Sequence, residues 1–307
     1  MPHCEAGRAQ SILVTGATGY IGGRLIALLE ARGLHVRCLA RQPEKLRPRV
    51  REQTEIVQGD VLNPASLDEA LKGIHTGYYL VHLMAGSKDF EKEDRQAAKN
   101  FADAAVRAGV RRIIYMGGLG DENAPDLSPH LRSRQEVGKI LRQSGIETIE
   151  FRASVVIGAG SLSFELIKSL TDRLPVMICP RWLGTLTQPI AVNDMLAYLL
   201  AANDLDAGSS QIFEVGGTDV VPYGDLVREY AHQKKLRRWL ISVPLLTPYL
   251  SSLWLTLVTP TAFTVAKHLI EGLRNPTVVT DRKALDAFSI RPVGIQKAVE
   301  NALAGAQ

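Results

Sequence analysis

The stretch Ile12–Gly22 reads Ile-Leu-Val-Thr-Gly-Ala-Thr-Gly-Tyr-Ile-Gly, and its glycines at 16, 19 and 22 constrain the fold more than any other residues. The apolar run before them has strand character, and Arg24-Leu-Ile-Ala-Leu-Leu-Glu-Ala-Arg after them repeats at helical period. A strand that turns at once into a helix needs a first glycine where any side chain would clash. A second lets the backbone approach a pyrophosphate, and a third lets helix and strand pack closely. The helix N-terminus then offers unpaired N–H groups and a positive dipole end to that phosphate. Thr15, Gly16, Thr18, Gly19, Tyr20, Ile21 and Gly22 are therefore expected to hold a dinucleotide. A glycine-rich turn without a ligand is the plainer alternative, and the strand before and helix after weigh against it.

The next strand, expected at His35-Val-Arg-Cys-Leu-Ala40, ends one residue before Arg41. An acid near this point binds the ribose 2′-hydroxyl of NAD, whereas an arginine accepts the 2′-phosphate of NADP. Here Lys45 and Arg47 follow Arg41, and no acid precedes Glu44. A guanidinium clamps a phosphate with paired hydrogen bonds, and a carboxylate repels it. NADP(H) is favoured over NAD(H), with Arg41 and Lys45 at the phosphate, against the alternative of a solvated basic loop.

With 307 residues, 46% hydrophobic and 22% charged, the chain can bury a large core as one domain or two unequal lobes. The net charge of +4 is modest, and the basic runs carry no interleaved aromatics, so nucleic-acid binding is not expected. Cys4, Cys38 and Cys179 are few and far apart, which fits a reducing compartment and neither a disulfide framework nor a metal cluster. No metal is expected, because the histidines and cysteines show no ligand spacing. No cleavable leader is read before the first strand, so the expected location is the cytoplasm. From Trp239 to Ala266 there is no charged residue, a length that would span a bilayer. Pro244, Pro248 and Pro260 break it, and it is read as pocket-lining helices, with membrane-surface contact through 239–266 the disfavoured alternative.

Beyond the glycine turn, strand and helix alternate. Strands are expected at 55–60, 76–84, 112–116 and 147–156, and helices at 64–72, 89–108 and 131–144. This order implies an α/β fold with a doubly wound parallel sheet of Rossmann type. Residues 9–158 are read as the NADP-binding domain. Residues 159–307 form a smaller, partly discontinuous lobe for substrate, with parts of 187–216 returning to the sheet. Ligands of such sheets bind beyond the carboxyl ends of the strands, so Arg41, Asp60, Leu83, Gly117 and Val156 should border one crevice.

Thr15-Gly-Ala-Thr-Gly-Tyr-Ile-Gly22, Gly59-Asp60-Val61, Arg111-Arg-Ile-Ile-Tyr115 and Ser144-Gly-Ile-Glu-Thr-Ile-Glu-Phe-Arg152 together resemble the short-chain dehydrogenase/reductase superfamily in its atypical and extended branches. Tyr78-Tyr-Leu-Val-His82, His130-Leu-Arg-Ser-Arg134 and Gln188-Pro-Ile-Ala-Val192 resemble its NAD(P)H-binding, nucleoside-diphosphate-sugar-epimerase-like group. The resemblance implies that Asp60 and Val61 flank an adenine and that Asn100 supports the site. It also implies a Tyr and a Lys four residues later, with a Ser on the preceding strand, as the proton relay. This chain departs there. His130 falls at the Tyr position, Arg134 at the Lys position and Gly117-Gly118 at the Ser position, and the chain is read as lacking the Tyr-x-x-x-Lys string.

Two readings follow from the departure. In one, the chain is an NADP-dependent oxidoreductase for an apolar or aromatic small molecule. His130 donates the proton, Arg134 fixes ribose, phosphate or an oxyanion, and His82 is a second candidate. In the other, it binds NADP(H) without turnover, as a redox sensor or assembly protein similar to the NmrA-like regulators. The plain alternative for each histidine is a packed or surface side chain.

Overall fold

The structure, a computed structural model, describes residues 11–83, 89–179, 181–242 and 272–305. Strands β1 (Ser11–Val14), β2 (His35–Ala40), β3 (Glu55–Gln58), β4 (Thr76–Tyr79), β5 (Arg112–Gly118) and β6 (Glu147–Ala153) alternate with helices. These are α1 (Tyr20–Ala31), α2 (Pro43–Leu46), α3 (Pro64–Leu71), α4 (Phe90–Ala108) and α5 (Pro129–Arg142). Next come β7 (Val156–Ile157), α6 (Leu162–Arg173), β8 (Val176–Cys179), β9 (Leu186–Thr187), β10 (Ile190–Ala191) and α7 (Val192–Ala201). They are followed by β11 (Gln211–Val215), β12 (Val221–Pro222), α8 (Tyr223–Gln233) and β13 (Trp239–Ser242), and helices lie at Lys283–Ala287 and Ile295–Ala304.

Seven strands form one sheet in the order β3-β2-β1-β4-β5-β6-β11, every pair parallel. The order reverses between β1 and β4. At such a point the two flanking loops diverge to opposite faces and leave a crevice at the carboxyl edge. The pleat explains why both faces are covered. Ile12 and Val14 point to a core built with Leu25, Ile26 and Leu29 of α1 and Met195 and Leu199 of α7. Leu13 points to the other face, with Ala97 and Phe101 of α4 and Val137 and Leu141 of α5. Buried on both sides, the strands read as near-continuous apolar runs.

Some boundaries differ from the sequence expectation. The fourth strand, expected to run from Thr76 to Met84, leaves the ladder after Tyr79, and Met84 lies outside the described residues. Its neighbour β1 ends at Val14, so the next amide, Leu80 N–H, donates instead to the Thr15 hydroxyl at 3.2 Å. Helix α5 begins at Pro129 rather than Leu131, because Ser128 caps it by accepting the Leu131 N–H and Pro129 suits the first turn.

The second half of the chain returns to the sheet twice. Strand β11 pairs with β6 as an edge. Phe288, just after the Lys283–Ala287 helix, packs its ring 5.6 Å from Phe151, 5.4 Å from Tyr198 and 5.1 Å from Phe213. The segments 162–179 and 221–242 and the terminal helix gather a separate small core around Phe164, Leu226, Tyr230 and Val299. Among the described residues no helix is long and apolar enough to cross a membrane. Of the uncharged stretch 239–266, only β13 is described, paired in parallel with β8; residues 243–266 lie outside the described residues.

Candidate functional site

The glycine turn is built as a cradle. Gly16 has φ +69°, and a side chain on it would come within 2.5 Å of the Leu80 carbonyl oxygen. A Cβ on Gly22 would lie 2.3 Å from the Gly16 carbonyl oxygen, and one on Gly19 would lie 3.0 Å from the same atom. Gly19 N–H closes the turn on Gly16 C=O at 2.9 Å, and Gly19 caps α1 with no side-chain bond to the first-turn amides. The chain therefore presents bare backbone and helix N–H groups to the crevice, an arrangement suited to a pyrophosphate. Residues of this form fit a dinucleotide.

The other expected cofactor residues divide into two sets. Gly16, Gly19, Tyr20, Ile21, Gly22, Gly117, Arg134 and Val156 line a common cavity of about 410 Å³, together with His82 and His130. Thr15, Thr18, Arg41, Lys45, Asp60, Val61, Leu83 and Asn100 are not among its lining residues. Thr15 is a correction: it is wholly buried, and its hydroxyl joins β1 to β4 by donating to Tyr78 C=O at 3.0 Å. It supports the turn from beneath and offers a ligand no surface. Asn100 is likewise turned inward, donating to the Val61 carbonyl at 3.1 Å and accepting from Gln96 at 2.7 Å. It fixes the loop that carries Asp60 and Val61. Val61 itself is buried, while Asp60 accepts the Leu62 N–H at 2.9 Å.

Arg41 and Lys45 are exposed just beyond the carboxyl end of β2, and neither side chain has a hydrogen-bond partner or counter-ion among the described residues. Arg47, the third base of that cluster, is already spent. It donates to the carbonyls of Arg51, Glu52 and Thr54.

The chemical end of the cavity holds a chain of polar groups. Asp94 on α4 accepts from His82 Nδ1 at 2.8 Å, and His82 Nε2 lies 3.0 Å from His130 Nδ1. Ser133 Oγ donates to the same Asp94 oxygen at 2.8 Å, and the Leu83 N–H donates to the other at 3.0 Å. Burial acts to raise the Asp94 pKa. Hydrogen bonds from His82, the Leu83 amide and the Ser133 hydroxyl outweigh it, and the carboxyl sits below its ordinary value. His130 and Arg134 are one turn apart on α5 and both face the cavity. Arg134 donates to Met116 C=O and sits 5.2 Å from the centre of the Tyr115 ring, whose hydroxyl donates to the Arg134 carbonyl at 2.8 Å.

Asp94 and Ser133 were not anticipated. The signal for Asp94 lay in the sequence: Phe90, Asp94, Ala97 and Phe101 fall at helical spacing on the buried face of α4, so an acid sits on the apolar stripe. The expected absence of any Tyr-x-x-x-Lys string also needs correction, because Tyr230 and Lys234 have that spacing. They do not form the relay at this site. Tyr230 lies in α8, donates to the Asp172 carboxylate at 3.0 Å and packs against Phe164 rather than lining the cavity. A serine at Gly118 would crowd Leu131, whose Cδ2 lies 2.8 Å from the Cβ position. Tyr78 and Tyr79 are both core residues.

A family model described as NAD(P)H-binding matches residues 16–154, from the first glycine to the end of β6. Over that stretch, a little under half of its length, the chain is similar to the NAD(P)H-binding family. Cinnamoyl-CoA reductase 1 of Oryza sativa subsp. japonica is 30% identical over 131 residues, 40% of this chain and 39% of that protein. A 3β-hydroxysteroid dehydrogenase/Δ5→4-isomerase of Mycobacterium tuberculosis is 28% identical over 232 residues, 66% of this chain and 61% of that protein. The match thus spans about 39% to 61% of the length of these curated relatives. The crystal structure of Citrobacter sp. triphenylmethane reductase complexed with NADP(H) superposes with a TM-score of 0.75 at 17% identity, covering 95% of this chain and 99% of that one. At that identity the likeness speaks for the fold. Among the described residues no cluster of His, Cys, Asp and Glu could hold a metal ion.

Proposed function

We propose that this NAD(P)H-binding protein is an NADP-dependent oxidoreductase acting on an apolar or aromatic small molecule in the cavity beside the glycine turn. The observation that carries this reading is the Asp94–His82–His130 chain opening onto that cavity. A protein that only sensed its cofactor has no use for a carboxylate-backed pair of imidazoles there. Reductases among the relatives support the reaction class. A nicotinamide bound here supplies the hydride; the protein supplies the proton.

The proposed proton route uses the contacts that His82 makes with Asp94 and His130. Ionised Asp94 only accepts, so neutral His82 carries its proton on Nδ1 and leaves Nε2 to accept from His130 Nδ1–H. A His130 imidazolium then presents Nε2–H to an oxygen in the cavity. After giving up that proton, His130 is neutral and still bonded to His82 through Nδ1–H. Arg134 stays cationic throughout, suited to a ribose, a phosphate or a developing oxyanion, and takes no part in the proton transfer.

Gly16, Gly19 and Gly22 hold the pyrophosphate, and Arg41 with Lys45 takes the 2′-phosphate, which favours NADP(H) over NAD(H). The substrate is the one partner proposed. A reducing, cytoplasmic location suits the unpaired, buried Cys38 and Cys179.

The test is calorimetric titration with NADPH, NADP⁺, NADH and NAD⁺, followed by NADPH consumption against quinones, aldehydes and enones. His130→Ala is expected to lower turnover by roughly 10²- to 10⁴-fold and to leave NADPH affinity unchanged. Arg134→Ala should lower turnover more than affinity. Unchanged turnover in both variants would refute the catalytic assignment. Strong preference for one redox state of the cofactor with no consumption of NADPH would favour a sensor instead.

A further inference from the structure

Ser154, Thr187, Tyr223 and Thr277 come from four separate segments, and their hydroxyls meet at the cavity wall. Ser154 Oγ lies 2.7 Å from Thr187 Oγ1 and 2.7 Å from Thr277 Oγ1. Thr277 Oγ1 donates to Thr187 Oγ1 at 3.0 Å, and the Tyr223 hydroxyl is 3.3 Å from Thr277 Oγ1. Ser154, Tyr223 and Thr277 line the cavity, while Thr187 is sealed behind them. Much of the remaining lining is apolar, including Leu170, Met177, Leu226 and Val227.

A hydroxyl has one proton to give and two lone pairs to receive. Here four contacts join four hydroxyls. Tyr223 meets Thr277 at hydrogen-bond distance, with Thr187 a second polar neighbour, and if the four contacts above are hydrogen bonds its proton goes to Thr277. The triangle then runs in one direction, Thr277 to Thr187 to Ser154 and back to Thr277. All four protons are spent. Thr277 accepts twice and is full, whereas Tyr223 and Ser154 keep lone pairs at the cavity.

We propose that this cluster is a hydrogen-bond-accepting anchor that selects substrates carrying a hydroxyl on an apolar or aromatic body. It rests on the reading that a small apolar molecule is reduced in this cavity, and it narrows that substrate class. A ligand offering only an ether or carbonyl oxygen here would set lone pair against lone pair. A site built around such a bond discriminates against analogues that cannot make it. Tyr223 and Ser154 are thus specificity residues, remote in role from the Asp94–His82–His130 chain.

The test uses 2-naphthol and 2-methoxynaphthalene, which differ in donor capacity at one oxygen, titrated into the NADPH-loaded protein by calorimetry. The wild type is expected to bind 2-naphthol about tenfold more tightly. Tyr223→Phe and Ser154→Ala should each bring that ratio toward one and leave 2-methoxynaphthalene affinity as it was. Equal affinity for the two probes in the wild type, no binding of either, or a preference that survives both variants overturns the proposal. NADPH affinity on the same samples separates the two failures and reports that the variants are folded. Loss of NADPH binding by the wild type sinks the oxidoreductase reading, whereas retained NADPH binding with no probe preference sinks the anchor alone.

Discussion

Asp94 decides how the histidine pair is used, and its ionisation has a thermodynamic signature. Burial alone would raise its pKa, but His82, Leu83 N–H and Ser133 reverse the sign and hold the folded value below the ordinary one, which is about 3.9 for an unfolded chain. Around pH 4 the unfolded chain therefore binds a proton that the folded protein does not, and stability rises with pH through that window. The contribution is complete above the unfolded pKa and disappears as pH falls through the folded one. Asp94→Asn removes it while keeping the shape. The gap in melting temperature between wild type and Asp94→Asn should be largest above about pH 4 and should narrow below it; a gap independent of pH would count against an ionised Asp94. The same substitution puts a donor-bearing amide against His82 Nδ1 and disturbs the tautomer that receives His130, so turnover should fall with NADPH affinity retained.

The β1–α1 junction shows what a local pattern can and cannot reveal. Its glycines were legible because each answers a short-range steric demand: Gly22 must clear the Gly16 carbonyl six residues away, and no tertiary knowledge is needed to see it. Gly22→Ala should accordingly cost about 1–3 kcal/mol, shift the start of α1 and weaken NADPH binding. Gly23→Ala, one position on, meets only the Ala17 carbonyl at 3.5 Å in an exposed helical position. That change should be neutral or stabilise by up to about 1 kcal/mol, and a chemical denaturation series on the two variants compares them directly. Equal losses would mean that the glycine spacing matters less than the number of glycines. Alternation of strand and helix was legible for the same local reason. The fourth strand was overextended because Leu80 and Val81 continue its apolar run, while its true end is set by where β1 stops, a fact about a neighbour. The histidine chain joins residues 82, 94 and 130, and the hydroxyl cluster joins 154, 187, 223 and 277; neither leaves a periodic trace, because only the fold brings them together. The inward turn of Asn100 and the burial of Thr15 are of the same kind: which way each side chain faces is a property of packing that no local pattern carries.

The parallel sheet brings residues far apart in sequence to one edge, since β2 delivers Arg41 and β5 with α5 delivers Gly117, His130 and Arg134. A cofactor bound as proposed would couple the first strands of the sheet to α5, and global stability would report it. A ligand that binds only the folded state stabilises it by about 2.7 kcal/mol at a hundred times its Kd, a rise in melting temperature of roughly 5 °C for a chain of this size. With Arg47 committed to the 51–54 carbonyls, Arg41 and Lys45 are the cations proposed to meet a 2′-phosphate at this strand end. NADPH should thus raise the melting temperature of the wild type more than NADH does at equal concentration. Arg41→Glu should bring a carboxylate to the same point, repel the 2′-phosphate and accept a ribose 2′-hydroxyl. The NADPH shift should then fall to or below the NADH shift, with the ligand-free melting temperature little changed because Arg41 is exposed. Equal loss of both shifts would mean that Arg41 shapes the loop rather than reads the phosphate, and the preference for NADP(H) would have to be sought elsewhere along β2 and α2.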